Sequence, residues 1–372
     1  MAIWMRLLQP WISSLMRKKP VTLATILDPA ASLAYDGKDW YQLVSQARTL
    51  KLLPYLKLQF ERQGLWELIP PGPKLHMHSA WIHSNSIYYA SRWELEKLTT
   101  ELQGIRWMPL KGAAYSLIDL PHSRYRLTGD VDVLVNRNTV DKAEMLLKIQ
   151  GWRSEPLNDY DSRYYRQWSH EVPPMKHPER GSVLDLHHNL YPLVSSTIRV
   201  NIAAFWQGAQ RHKTGVSLPC LEDLFLHSAL HLFMQEEFSS ALRDLVDMGE
   251  IYHQGCEDNI DYPAALQSRA KRLGLERPCW FAVRYLNLFF HKNIPVTNAG
   301  GMNFMSAWCY DWLFVTTFFD LPHEKSSWYL PIARKLLEAR GHWVKMSLPI
   351  LSVHLWHKLK VRYLTSRKQR EA

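Results

Sequence analysis

The stretch that decides the fold reads Arg126-Leu127-Thr128-Gly129-Asp130-Val131-Asp132-Val133-Leu134-Val135. Its apolar, β-branched residues mark a strand, and a strand's period of two puts Asp130 and Asp132 on one face while Val131, Val133 and Val135 take the other. Two carboxylates aimed together repel unless a cation or a proton stands between them, and carboxylate oxygens are the hard ligands that Mg²⁺ takes. An Asp-x-Asp pair by itself fits a pair of solvated strand-end acids equally well, so the surrounding sequence has to decide its meaning.

Upstream, Leu110-Lys111-Gly112-Ala113-Ala114 reads as a glycine turn opening a helix, with Ile105–Leu110 before it predicted as a strand. Downstream, Ser182-Val183-Leu184-Asp185-Leu186-His187 sets an acid inside an apolar strand, where it is costly unless paired or metal-bound. Asp185 and His187 share a face by the same period of two. If this strand lies beside the first, three carboxylates converge, enough for a two-metal site. Between the strands, Thr139–Gln150 reads as a helix.

These phrases resemble the DNA polymerase β-like nucleotidyltransferase superfamily. More closely, Leu-Lys-Gly-Ala-Ala, Arg-x-x-Gly-Asp-Val-Asp-Val-Leu-Val and Leu-Asp-Leu-His look like a bacterial family of uncharacterised nucleotidyltransferases, as do Glu222-Asp223, His227-x-x-x-His231 and Arg243-Asp244-Leu245. The resemblance implies that Asp130 and Asp132 hold two Mg²⁺ ions, or Mn²⁺, around an NTP. It gives Asp185 one metal and a part in deprotonating the attacking hydroxyl. The turn through Gly112 and Ala113, with Gly129, lets backbone approach the triphosphate, and Lys111 and Arg126 supply cations on the phosphate side. The products are a nucleotidylated acceptor and pyrophosphate. Where the superfamily usually has Ser after a glycine of the turn, this chain has Ala113, which keeps a weakly active nucleotide sensor as an alternative beside a toxin-like enzyme acting on RNA or protein.

Each residue also has a purely structural reading. Lys111 could cap a strand end, and Arg126 could orient a carboxylate such as Asp130. His187 and His188 could be hydrogen-bonded structural histidines. His227 and His231 have zinc-ligand spacing, yet Ser228 stands where the HExxH pattern needs Glu, so they read better as a polar pair lining a cleft. Together with His187 and Asp244 they are candidates for the acceptor side. Trp152, Tyr160, Tyr164, Tyr165 and Trp168 are a second group for that cleft.

Around this centre the periodicity is helical. Leu43, Ala47, Leu50 and Leu53 precede Pro54, Leu95, Leu98 and Leu102 follow later, and Pro70-Pro71-Gly72-Pro73 reads as a break between them. Further helices are predicted over 241–253, 263–273, 278–290 and 331–340. The fold class is therefore α+β: a small mixed-sheet core at 104–195 between all-α regions at 1–103 and 196–372.

The chain has 372 residues and a formal charge of +10, of which residues 1–20 hold +4 and residues 351–372 hold +5. The body is left at +1, which argues against a phosphate-tracking groove and sequence-specific DNA binding. Cys220, Cys256, Cys279 and Cys309 include no CxxC pair, disfavouring a disulfide framework or zinc ribbon. With no signal-peptide pattern and no apolar run of about 20 residues, a cytoplasmic protein is expected. The basic amphipathic stretch 350–363 suggests either a last helix packed on its own domain or peripheral contact with anionic lipid.

Overall fold

A computed structural model describes residues 19–154, 163–165, 167–295, 304–323, 328–353 and 356. Most of the basic N-terminal stretch, Tyr160, and residues 354, 355 and 357–363 of the basic stretch 350–363 lie outside the described residues.

The chain opens with helices α1 (Val21–Leu27), α2 (Gly37–Thr49), α3 (Leu53–Arg62) and α4 (Pro71–Glu101). The helical rhythm read through Leu53 is split at Leu50–Leu52, where Lys51 adopts a left-handed φ of 58°. Pro71-Gly72-Pro73 does not break the chain. It starts the 31-residue α4, because the first N–H groups of a helix have no partner within it and proline there costs nothing. The buried residues Met77, Ser84, Tyr88, Leu95 and Leu98 form one stripe along this helix at helical spacing.

Strand β1 (Trp107–Pro109) leads into α5 (Lys111–Ile118), then β2 (Val131–Val135), α6 (Val140–Ile149), β3 (Arg153–Ser154), β4 (Met175–Lys176) and β5 (Val183–His187). The sheet order is β1-β2-β5-β4-β3. β1 runs antiparallel to β2, while β2 and β5 are parallel with Asp132 opposite Asp185. The rest of the described chain is helical apart from the small hairpin β6 (Gln210–Arg211) and β7 (Ser217–Leu218): α7 (Ile202–Gln207), α8 (Leu221–Phe233), α9 (Ala241–Asp258), α10 (Tyr262–Leu273), α11 (Glu276–Phe290), α12 (Phe304–Phe318) and α13 (Leu330–Lys345). The protein is thus α+β, a small mixed sheet among helices.

Alternation along the strands sorts the sheet into two faces with separate cores. Val131, Val133, Val135, Leu184 and Leu186 pack with Leu95 and Leu98 of α4 and with Leu147 of α6. On the other face Met108 and Leu134 join a larger core that holds Leu56 and Phe60 from the N-terminal helices and Leu226, Phe233, Phe281 and Phe314 from the C-terminal ones. The acids of β2 and β5 lie on this second face, where α8 and α9 pack, so the charged positions are walled by helices from distant parts of the sequence.

Two clamps hold β5 in place. The buried Glu94 of α4 accepts hydrogen bonds from Arg180 (2.8 Å) and Ser182 (2.6 Å), just ahead of the strand. Arg180 also donates to Glu101 at 2.7 Å, and Glu101 takes the indole N–H of Trp152 at 2.9 Å. Trp152 is therefore a core residue, 1% exposed, and not part of an acceptor cleft. Its ring was conspicuous in sequence through the density of its aromatic neighbours, but the pairing with Glu101 faces it inward. Tyr164, Tyr165 and Trp168 pack edge-to-face on one another.

Candidate active site

Lys111, Gly112, Asp130 and Asp132 open onto a cavity of about 300 Å³ whose far wall is Ser228 and His231 of α8 and Arg243, Asp244 and Asp247 of α9. That volume is at the lower end of small-ligand pockets.

Asp132 is the anchor. Its buried Oδ1 accepts from Lys111 Nζ at 2.7 Å and from His187 Nε2 at 3.0 Å. Burial works against its charge, but Lys111 and His187 outweigh it and hold the carboxyl well below the usual range, so Asp132 is ionised. Lys111 reaches it from the first residue of α5, where its φ of 45° is left-handed, a conformation non-glycine residues rarely take and one that clusters at functional sites. Burial opposes the charge on this ammonium as well, and Asp132 prevails, keeping it protonated.

Asp185 stands beside Asp132 in the ladder, as two aligned residues of parallel strands must share a face. Among the described residues no donor reaches its carboxylate. Burial, then the charges of Asp132 and Glu171, push its pKa up to about 7. Asp130 precedes β2, is exposed, and adds its charge to the same group. The front of the sheet thus has a surplus of negative charge that one lysine and one histidine do not balance.

Gly112 explains itself by contact. A Cβ there would lie 2.1 Å from Thr128 Cγ2 and 2.5 Å from an Arg126 terminal nitrogen, so only glycine lets the 126–128 segment lie against the start of α5. The first helical hydrogen bond runs from Ala114 N–H to Leu110, which leaves the Gly112 and Ala113 N–H groups ahead of the ladder. Ala113 turns its methyl into the sheet core, 2% exposed, so only its backbone is available to a ligand.

Arg126 does not pair with Asp130. Its Nε donates to Asp247 Oδ2 at 2.5 Å, a partner 121 positions away, and this buried pair ties the Gly129 loop to α9. Burial opposes its charge and Asp247 more than restores it. Asp244 binds Ser240 (3.2 Å) and Arg243 (2.7 Å) and makes no bond to His227 or His231. Burial and the nearby Lys111 push His227 down to about 3, so it is neutral. Among the described residues His227 and His231 gather no third metal ligand. Burial, then Arg137, lowers the neighbouring His188 to about 4. His187 bridges instead, with Nε2 on Asp132 and Nδ1 3.4 Å from Glu171.

Lys51, Ser228, Asp247 and Glu171 are site residues that sequence reasoning missed. Asp247 had a signal: it follows Asp244 by one helical turn and so shares its face. Lys51, in the turn between α2 and α3, had none. The donor set suits a hard divalent cation, since Asp185 has no donor among the described residues and the ammonium on Asp132 marks where positive charge is favoured.

A family model described as "Uncharacterised nucleotidyltransferase" matches residues 36–291. No curated protein and no solved structure matches the chain. The matched region runs from α2 through the sheet, the cavity and the helices α8 and α9 that wall it, and by that match the chain belongs to the uncharacterised nucleotidyltransferase family.

Proposed function

We propose that the protein transfers NMP from an NTP to a hydroxyl or phosphate of an acceptor, in the manner of the DNA polymerase β-like superfamily, with Mg²⁺ or Mn²⁺ as the cation. The observation that carries this reading is Asp132, which lines the cavity with Lys111 and the start of α5 and is paired in the sheet ladder with Asp185 just outside that lining.

In this reading Asp130, Asp132 and Asp185 hold the cation, which when bound screens the triphosphate and stabilises the attacking and leaving oxygens. Lys111 and the N–H groups of Gly112 and Ala113 face the phosphates, where a helix N-terminus favours negative charge. Arg126, fixed by Asp247, holds the Gly129 loop against α5 and lends its remaining guanidinium nitrogens to the same side. The acceptor oxygen forms a bond to the α-phosphorus as the bond to the β-phosphate oxygen breaks, and pyrophosphate leaves. Asp185, which has no donor among the described residues and whose pKa is pushed up to about 7, receives the acceptor proton in its ionised form. His231, Arg243 and Asp244 line the opposite wall, where the acceptor enters.

The test is incubation with each α-labelled NTP, Mg²⁺ or Mn²⁺ and a cell extract as the source of acceptor. Wild type labels an acceptor, and Asp132→Ala does not. Label transfer that survives this substitution overturns the assignment, and absence of transfer with every NTP and both cations removes the activity altogether.

A further inference from the structure

Beside Asp132, outside the lining of the cavity, His187 meets two residues of the segment before β4. His170, Glu171 and His187 each offer a ligand atom, and these atoms all lie within 4.8 Å of one another. His187 Nδ1 is 3.4 Å from Glu171 Oε2, and His170 Nε2 is 3.8 Å from the same oxygen. The backbone fixes the arrangement. Glu171 and His187 form a β-bridge, Val172 N–H donates to Leu186 O at 2.9 Å, and His188 N–H donates to His170 O at 2.8 Å.

The protons make the cluster unusual. Asp132 is ionised and has no hydrogen to give, so His187 Nε2 must carry the hydrogen in their 3.0 Å bond. With Nε2 engaged by Asp132, His187 turns Nδ1 toward Glu171, and that atom is buried with no hydrogen-bond partner among the described residues. It faces a carboxylate oxygen, and the His187 side chain is 4% exposed. A ring nitrogen and a carboxylate oxygen this close draw positive charge between them, either a second proton on the ring or a metal ion.

We propose that His170, Glu171 and His187 bind a transition-metal ion of the Zn²⁺ class through three protein ligands, with a fourth position open. Two imidazoles and one carboxylate suit such an ion better than Mg²⁺, which prefers oxygen. Zn²⁺ bonds of about 2.0–2.2 Å in tetrahedral array set neighbouring ligand atoms roughly 3.3–3.5 Å apart; His187 and Glu171 already stand at 3.4 Å, and His170, at 3.8 Å from Glu171, has to draw in. Asp132 would be the outer partner of His187, in the carboxylate–histidine–metal arrangement that fixes a ligand's tautomer. The side chains of Glu171 and His170 are 26% and 23% exposed, which gives the ion a way in. Bound there, the ion pins the segment before β4 to β5 and, through His187, sets the orientation of Asp132 from behind.

Binding at this site is tested without nucleotide transfer. The full-length chain is stripped with a chelator, returned to buffer with excess Mg²⁺, and titrated with Zn²⁺ by calorimetry and with Co²⁺ by visible absorption. Wild type takes up one tight equivalent, and Co²⁺ shows the intense bands of a four-coordinate ion. His170→Ala and Glu171→Gln weaken Zn²⁺ binding by more than about 100-fold. Asp132→Asn, which touches only the outer hydrogen bond, weakens it by about 10–100-fold, and Asp130→Asn leaves it unchanged. Circular dichroism and melting curves confirm that each variant is folded, and Glu171→Gln keeps the side-chain shape. The proposal falls if wild type takes up no Zn²⁺ over Mg²⁺, or if binding is unchanged in both His170→Ala and Glu171→Gln. In either case His187 carries a second proton between Asp132 and Glu171. It falls equally if Asp130→Asn abolishes uptake, since the ion then sits among the aspartates.

Discussion

Two clusters of charge flank β5, and they are built on opposite rules. Ahead of the strand, the carboxylates of Glu94 and Glu101 share the guanidinium of Arg180, the hydroxyl of Ser182 and the indole of Trp152, so all four of their oxygens meet a donor. On the front of the sheet, one oxygen of Asp132 takes both Lys111 and His187, while Asp185 beside it takes no donor among the described residues. Buried polar groups that serve the fold are satisfied, and a group left unsatisfied asks for an explanation outside the fold. The contrast separates a clamp whose carboxylate oxygens are all matched within the protein, with Arg180 Nε left unpaired, from a site whose Asp185 carboxylate has no donor among the described residues.

The strongest way to break this contrast is Asp185→Asn. If the carboxylate is there for a cation and an acceptor proton, label transfer falls by about 10³-fold or more, yet the metal-free protein melts at a higher temperature because a disfavoured charge is gone. The pH dependence follows from the same group. Asp185 has a folded pKa of about 7, against roughly 3.9 in an unfolded chain. Between those values the folded state binds more protons, so its contribution to stability is complete below about pH 4 and is lost as pH rises through 7. Melting temperature without divalent ions therefore declines over this window in wild type and much less in Asp185→Asn. A variant that is both inactive and less stable would place Asp185 with the clamp.

Glu94→Ala tests the other side. Removing one partner of a buried, hydrogen-bonded pair costs about 3–5 kcal/mol, measured by urea unfolding, and transfer per folded molecule should stay near wild type because Glu94 touches nothing in the cavity. Loss of transfer without loss of stability would erase the distinction between the two clusters.

Sequence reasoning reached the front cluster more easily than the clamp for a physical reason. Strand periodicity is local, so the shared faces of Asp130 with Asp132 and of Asp185 with His187 follow from a few residues each. That β5 lies beside β2 was a condition the sequence could state and only the fold could meet. Pairs between distant segments have no such signal. Arg126 finds Asp247 across 121 positions, and Glu94 finds Arg180 across 86. Glu171 stands next to Val172-Pro173-Pro174, which carries no strand period, although Glu171 is bridged to His187. Pro71-Gly72-Pro73 was misread because proline is equally at home in a turn and in the first turn of a helix.

The smallest effect comes from Gly112, where packing and function are hard to tell apart by one substitution. Gly112→Ala puts a methyl within 2.1 Å of Thr128 Cγ2, and overpacking of this kind costs about 1–3 kcal/mol. Thr128→Ser deletes that Cγ2, and the Arg126 tip can shift, so the double variant should recover much of the stability by a measurable coupling between the two positions. Transfer activity then divides the possibilities. If Gly112 serves only to let the 126–128 segment lie close, Gly112→Ala with Thr128→Ser regains activity along with stability. If the triphosphate also lies against the bare Gly112 backbone, the double variant melts like wild type but keeps a raised KM for the NTP. That outcome would assign Gly112 to the front cluster, whose residues stay incomplete until a ligand arrives.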